Sequence, residues 1–197
     1  MERVPWARDL AGRLLAGPLP VRWAHTQGVG RKAESIAHVA GEDAELFMSA
    51  AWLHDIGYAP DLVKTGLHAL DGARYLRDVE KASDRLCRLV ANHSSAIFEA
   101  RRRNLADELT VEFPDVAGFL KDALTYCDMT TSPAGFPIEV EARLSEILDR
   151  YPHGDIVADS IREARWHIIQ AARKVSHVTT GANPTRYTGS TDYGGHQ

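Results

Sequence analysis

Apolar side chains recur with helical spacing along almost the whole chain, and this pattern constrains the fold more than any other feature. Near the middle of the chain, Leu86, Leu89, Val90 and His93 share one helix face at positions i, i+3, i+4 and i+7. Long alternating runs of β-branched residues, which are typical of strands, are missing from the sequence. The sequence therefore predicts an all-α fold, a bundle of about seven to nine helices.

The length and composition indicate one domain with a short appendage. The chain has 197 residues, of which 44% are hydrophobic and 25% are charged, so it can bury a substantial core. We expect residues 1–177 to form this domain with its N- and C-terminal helices. Residues 178–197 lack a core pattern and are predicted to be a flexible or surface-lying tail.

The charge and hydropathy of the chain restrict its partners. A net charge of −4 argues against general nucleic-acid binding, which requires a basic surface. No apolar stretch is long enough to suggest a membrane span, and the charged N-terminal segment does not resemble a signal peptide. We therefore expect a cytoplasmic protein without a membrane partner. The sequence leaves the oligomeric state open, with a homodimer as one alternative.

Several ionisable residues lie where a helix should be apolar. His25, His93 and Asp128 each occupy the apolar face of a different predicted helix, and His54 and Asp55 end a further apolar segment. A buried charge without a partner costs several kcal/mol, roughly the scale of a protein's whole stability. Core histidines bonded to carbonyl groups are one explanation. A shared metal ion is the explanation we favour, because imidazole nitrogens and carboxylate oxygens bind first-row transition metals.

These residues belong to motifs that resemble those of a known family. The segments "RWAHTQGV", "WLHDIGY" and "YCDMTT" resemble the H…HD…D signature of the HD-domain metal-dependent phosphohydrolases. The segments "GLHALDGARYL" and "VANHSS" resemble two extra histidine motifs of members that hold two metal ions, including bacterial dinucleoside-tetraphosphate hydrolases. The matched stretch covers roughly residues 20–135 and implies an HD-domain helical bundle.

The resemblance implies a dinuclear metal site with His54 and Asp55 at its catalytic centre. The first ion would be bound by four residues and the second by two more, with Asp55 bridging both ions. The implied ligands are His25, His54, Asp55 and Asp128 for the first ion, and His68 and His93 for the second. Two divalent transition-metal ions are expected as cofactors. Fe or Mn are preferred for a site rich in imidazole, with Mg, Co, Ni and Zn as alternatives.

The implied activity is hydrolysis of a phosphate ester or anhydride of a small molecule, with a nucleotide as the favoured substrate class. A metal-bound hydroxide would attack the phosphorus atom. Two alternatives remain open. HD-fold diiron oxygenases use the same kind of ligand set to cleave carbon–phosphorus or carbon–carbon bonds, and a regulatory module would keep the metals without turnover.

Four residues near the motifs are candidates for binding substrate. Arg22 lies one helical turn before His25, and Lys64 lies between two of the histidine motifs. Ser94 and Thr131 each follow close behind an implied metal ligand. The alternative for the two cations is an exposed surface position, and the alternative for the two hydroxyl groups is helix capping or support of a metal ligand.

Overall fold

The computed structural model describes residues 4–116 and 118–180, and the described chain is helical. Within these residues the only β-type pairing is a single antiparallel bridge between Thr131 and Pro137. Three short 3₁₀ turns also occur, at Ala37–Asp43, Ile56–Tyr58 and His93–Ser95. The α-helices are α1 (Val4–Leu15), α2 (Pro20–Ser35), α3 (Ala44–Leu53), α4 (His68–Asp78), α5 (Asp84–Ala91), α6 (Ile97–Arg102), α7 (Ala106–Glu112), α8 (Phe119–Met129), α9 (Val140–Arg150) and α10 (Ile156–Thr180).

The all-α prediction is confirmed, and the differences lie at helix ends. Helix α2 ends at Ser35, and soon after it the chain forms a 3₁₀ turn in which Gly41 has φ 54°. The polar segment after residue 97 divides into α6 and α7, with Asn104 between them at φ 59°. This division contributes to the ten α-helices of the described residues, compared with the seven to nine helices that the sequence predicts.

Helix α3 forms the centre of the larger hydrophobic core. It packs against α1, α2, α5 and α8, and its side chains Phe47, Ala50 and Leu53 are fully buried. A smaller cluster joins α9 and α10 to the end of α8 through Leu144, Ile168 and their neighbours. Asp55, which follows α3, lines a cleft together with Met129, Ile147 and Ala164 of the smaller cluster.

Gly57 allows the turn after Asp55 to contact the first residue of α4. A side chain at this position would overlap the His68 carbonyl oxygen, and its Cβ would lie 2.6 Å from the Gly72 nitrogen. The turn can approach α4 this closely only without a Cβ atom. This contact brings Asp55 and His68 to the same region of the molecule.

The C-terminal boundary of the predicted domain falls inside a helix. Helix α10 continues past residue 177 and ends at Thr180. The rest of the predicted tail, residues 181–197, lies outside the described residues. None of the described helices combines the length and the apolar character that crossing a bilayer requires.

Candidate metal centre

The six residues that the sequence marked as metal ligands come together at the ends and faces of five helices. His25 lies within α2, His54 and Asp55 follow α3, His68 begins α4, His93 follows α5, and Asp128 lies near the end of α8. His68 is half-buried and the other five side chains are buried. Residues that are up to 103 positions apart in the sequence are therefore neighbours in one buried site.

The first group of side chains consists of His25, His54 and Asp128. The His25 Nε2 atom lies 2.9 Å from Asp128 Oδ1, and the His54 Nε2 atom lies 3.8 Å from the same oxygen. One ligand atom from each of the three residues lies within 4.8 Å of the others. This spacing is compact enough for the three atoms to share one metal ion.

The second group consists of Asp55, His68 and His93, whose ligand atoms also lie within 4.8 Å of one another. His68 Nε2 and His93 Nε2 are 3.1 Å apart, and both lie within 4 Å of Asp55 Oδ1. The other oxygen, Asp55 Oδ2, faces the first group and lies 3.4 Å from His54 Nε2. The Asp55 carboxylate therefore presents one oxygen to each group.

Backbone carbonyl groups orient three of the four imidazole rings. His25 Nδ1 lies 3.1 Å from the Ser132 oxygen, and His54 Nδ1 lies 2.8 Å from the Ala51 oxygen. His93 Nδ1 contacts the Val90 oxygen in the same way, at 2.6 Å. Because a carbonyl group only accepts, Nδ1 carries a proton in all three rings, and Nε2 is the atom that can bind a metal when the ring is neutral.

One buried nitrogen in the site has carboxylate neighbours but no hydrogen bond. His54 is fully buried, and its Nε2 atom makes no hydrogen bond to any residue in 4–116 or 118–180, although Asp55 Oδ2 lies 3.4 Å away. Leaving a buried polar atom unpaired costs about 1–3 kcal/mol. A metal ion would satisfy this nitrogen, so the site fits the cofactor that the donor set suggests.

Opposing charges perturb the pKa values of the first group. Burial would lower the pKa of His54, but the Asp55 and Asp128 carboxylates overcome this effect and raise it to about 9. Burial would raise the pKa of Asp55, but Arg22 and His54 hold it well below the usual range. Asp55 is therefore ionised and available as a ligand, and His54 would release its Nε2 proton when a metal ion binds.

The two histidines of the second group are held in the neutral form. Burial lowers the pKa of His68 well below its usual value, and the neighbouring His93 lowers it further. Burial also lowers the pKa of His93, with a further contribution from His54. Neutral imidazole is the form that binds a metal ion.

The Tyr58 ring contacts two residues of the site. The Tyr58 and His68 rings are nearly parallel, with centroids 4.0 Å apart. The Arg22 guanidinium also lies over the Tyr58 ring, 4.0 Å from its centroid, and donates to Asp55 Oδ2 at 2.8 Å. Tyr58 thus holds both a predicted metal ligand and a predicted substrate-binding residue. Tyr58 was not among the residues predicted to form the site.

The turn after His93 directs a hydroxyl group to Asp128. Ser94 and Ser95 both have positive φ angles, 45° and 64°, which non-glycine residues rarely adopt. In this conformation the Ser94 hydroxyl donates a hydrogen bond to Asp128 Oδ2. Non-glycine residues in the left-handed region concentrate at functional sites, and here the turn fixes a predicted metal ligand.

The two groups open into a cleft of about 90 Å³. Arg22 and Ser94, both predicted to bind substrate, line this cleft together with Asp55, His68 and His93. The cleft is therefore the route by which a small molecule would reach the metal ligands.

The structure does not bring the other two predicted substrate-binding residues to the cleft. The Lys64 side chain is exposed, and the Lys64 backbone N–H donates to Asp71. Thr131 is buried, and its hydroxyl donates to the Cys127 carbonyl oxygen at 2.7 Å. Thr131 instead stabilises the end of α8, and Lys64 belongs to the loop that precedes α4.

The structure adds polar residues that the sequence analysis did not select. Glu99, Arg143 and Arg150 line the cleft, and burial raises the pKa of Glu99. Arg143 is 5% exposed and occupies the buried face of α9 beside Leu144, a position that the helical pattern identifies. A cation on an apolar face is the same signal that selected the histidines.

The comparison with known families agrees with the geometry of the site. A family model that describes the HD domain matches residues 22–151, which include all six predicted ligands. No curated protein and no solved structure matches the chain. The match covers well over half of the chain and coincides with the buried His and Asp cluster. The chain therefore belongs to the HD domain family.

Proposed function

We propose that the protein hydrolyses a phosphate ester or anhydride of a small molecule, with nucleotides as the first substrate class to test. HD-domain membership indicates the superfamily of metal-dependent phosphohydrolases. The observation that carries the proposal is the position of Asp55 between the two groups. Its Oδ2 atom lies 3.4 Å from His54 Nε2, and its Oδ1 atom lies 3.6 Å from His68 Nε2. A carboxylate in this position suits a pair of ions that share one ligand.

The six side chains would hold two divalent transition-metal ions. His25, His54, Asp128 and one oxygen of Asp55 would bind the first ion. His68, His93 and the other oxygen of Asp55 would bind the second ion. Four imidazoles among six ligands favour Fe or Mn over Mg. Such ions supply Lewis acidity and lower the pKa of a bound water molecule.

The side chains around the ligands would bind and orient the substrate. Arg22 lines the cleft, and its guanidinium can donate two parallel hydrogen bonds to phosphoryl oxygens. Ser94 holds Asp128 in place through its hydroxyl group, and the carbonyl groups that accept from Nδ1 hold three imidazole rings. In the reaction an oxygen from water bonds to phosphorus, the bridging phosphorus–oxygen bond breaks, and the leaving oxygen takes up a proton.

The test begins with metal analysis of protein purified without added metals. Protein reloaded with Mn²⁺ under anaerobic conditions is then incubated with nucleotides and phosphomonoesters, and released phosphate is measured. We expect phosphate release that His54→Ala abolishes, because this variant removes a buried predicted ligand. His153→Ala, which changes an exposed histidine outside the cluster, serves as the matched control and should retain activity.

The same experiment separates hydrolysis from oxidation. A hydrolase needs no change in the oxidation state of its metal, so Mn²⁺ should support turnover without O₂. Absence of phosphate release from the Mn²⁺ form, together with O₂ uptake by the iron form on an organophosphonate or polyol, would favour an oxygenase. Absence of turnover in both forms, with metals bound, would favour a regulatory module.

A further inference from the structure

Three arginines lie where the metal-site cleft meets a second pocket. Arg22 of α2 and Arg143 and Arg150 of α9 line both the cleft and the neighbouring pocket of about 290 Å³. The neighbouring pocket is otherwise walled mainly by apolar side chains of the segment 18–21 and by Pro133. A molecule that extends from the cleft into this pocket would have to pass the three guanidinium groups.

The two arginines of α9 share one carboxylate. Arg143 Nη1 and Arg150 Nε both donate to Glu146, the latter at 3.1 Å. No other carboxylate contacts either guanidinium within the part of the chain that the structure describes. One carboxylate between two guanidiniums leaves a net positive charge at this end of the cleft. The contacts of both arginines lie within one helix turn, so they contribute little to holding α9 in the fold.

Arg143 has the features of a binding group rather than of a surface cation. Its side chain is 5% exposed, and its buried Nε atom has no hydrogen-bond partner among residues 4–116 and 118–180. A buried guanidinium normally uses its donors in a fixed, planar arrangement that matches carboxylate or phosphate oxygens. Arg143 lines the cleft and its guanidinium donates only to Glu146 among the described residues, so a bound anion would complete its hydrogen bonding.

From this geometry we infer that the substrate carries a second anionic group, which Arg143 and Arg150 bind. The inference rests on the proposed function, since the reacting phosphoryl group would lie at the metal centre and accept hydrogen bonds from Arg22. The second group would be a phosphate linked to the first, as in a diphosphate or polyphosphate compound. The apolar pocket beyond the arginines would take the organic part of the molecule.

The test compares two ligands that cannot be hydrolysed. Methylphosphonate carries one anionic group and methylenediphosphonate carries two, and each is titrated calorimetrically into Mn²⁺-loaded full-length protein. We expect Arg150→Gln to weaken methylenediphosphonate binding about tenfold or more, the effect of losing one charge-assisted hydrogen bond. Methylphosphonate binding should change less than about twofold, because its only anionic group binds elsewhere. Metal content is measured for every sample.

Two further variants keep the test independent of folding. Arg143→Lys retains the charge at the buried position but lacks the planar donor pair. We expect this variant to weaken the binding of methylenediphosphonate more than that of methylphosphonate. Arg162→Gln is the matched control. Arg162 is 39% exposed and pairs with Asp159 of its own helix, just as Arg150 is 38% exposed and pairs with Glu146 of its own helix. Arg162→Gln should leave both affinities unchanged.

The outcomes separate this inference from the proposed function. The inference of a second anionic group would be overturned if the Arg150 and Arg143 variants weakened the binding of both ligands equally, or if they weakened the binding of neither. Failure of the Mn²⁺-loaded wild-type protein to bind either ligand would overturn the proposed phosphohydrolase and this inference together. If methylphosphonate binds in a metal-dependent way, but the arginine variants do not weaken methylenediphosphonate binding selectively, the proposed function stands and only the inference is rejected.

Discussion

The Arg22 Nη1 atom lies 2.8 Å from Asp55 Oδ2, the oxygen that also faces His25 and His54. The guanidinium and a metal ion in the first group would therefore compete for the same carboxylate oxygen. The Tyr58 ring holds Arg22 independently of this bond, since the guanidinium lies 4.0 Å from the ring centroid. When a metal ion binds Asp55, Arg22 would remain beside the cleft with its donors available for an anion.

Replacement of Arg22 should reduce activity without reducing metal content. Because charge-assisted hydrogen bonds contribute about 1.5–3 kcal/mol, we expect Arg22→Ala to lower kcat/KM by about 10- to 150-fold. The measurements are steady-state kinetics and elemental analysis of the same preparation. Arg31→Ala, an exposed arginine of the same helix, should have little effect on either quantity. Loss of metal from the Arg22 variant would show that Arg22 supports the ligands instead.

Asp55 and His68 should differ in how many metal ions they retain. Asp55 contacts both groups, so Asp55→Ala should reduce the metal content from about two ions per chain to nearly none. His68 contacts only the second group, so His68→Ala should retain about one ion. Elemental analysis after dialysis against a weak chelator measures both values. Full occupancy in the Asp55 variant would contradict its bridging position, and equal losses in both variants would contradict two separable ions.

Five of the six candidate ligands stand out in the sequence because they interrupt an apolar helical pattern, whereas His68 was implied only by the family resemblance. His25 and Asp128 occupy faces that are otherwise apolar, and burial of such groups requires a shared partner. Arg143 likewise lies on the buried face of α9 with Leu144 and Ile147. The helical pattern therefore marks Arg143 as a buried polar residue in the same way as it marks His25 and Asp128.

Other features of the site depend on contacts between distant segments. Tyr58 stacks on His68 only because the turn after α3 packs against the first turn of α4. The positive φ angles of Ser94 and Ser95 follow from the direction of the chain between α5 and α6, not from a preference of serine for this conformation. A periodic pattern describes which face of a helix is buried, but it does not describe how loops meet, so these residues could not be assigned from the sequence.

Because of the close contact at Gly57, we expect substitution of this glycine to lower both the stability of the protein and its retention of metal. A side chain there would overlap the His68 carbonyl oxygen, so Gly57→Ala must displace the start of α4. Overpacking of this kind costs about 1–3 kcal/mol. Each kcal/mol should lower Tm by about 2–4 °C for a protein of this size. Thermal unfolding monitored by circular dichroism measures the loss, and elemental analysis should show weaker retention of one ion.

Gly17 provides the control for this substitution. A Cβ atom at Gly17 would have no neighbouring atom within 4 Å, so Gly17→Ala should leave both Tm and metal content unchanged. An unchanged Tm for Gly57→Ala would mean that α4 can move away from the turn at no cost. That result would reject the close contact as the reason for glycine in this motif.

Asp71 is predicted to hold the loop that positions His68. Asp71 is 3% exposed, and its carboxylate accepts hydrogen bonds from three groups of this loop. The donors are the backbone N–H of Lys64 at 3.0 Å, the backbone N–H of Thr65 at 3.1 Å and the Thr65 hydroxyl at 2.9 Å. Asp71→Ala leaves these donors without their acceptor, which should cost about 1–3 kcal/mol of folding stability. Thermal unfolding measures this cost.

The control and the metal readout identify the role of Asp71. Asp78 lies at the other end of α4, and its one ion pair among the described residues is an exposed pair with Arg77, so Asp78→Ala should change stability by less than about 1 kcal/mol. Because the loop leads directly into His68, Asp71→Ala should also weaken binding of the second ion while the first ion is retained. A variant with lowered Tm but unchanged affinity for both ions would show that the loop stabilises α4 without positioning His68.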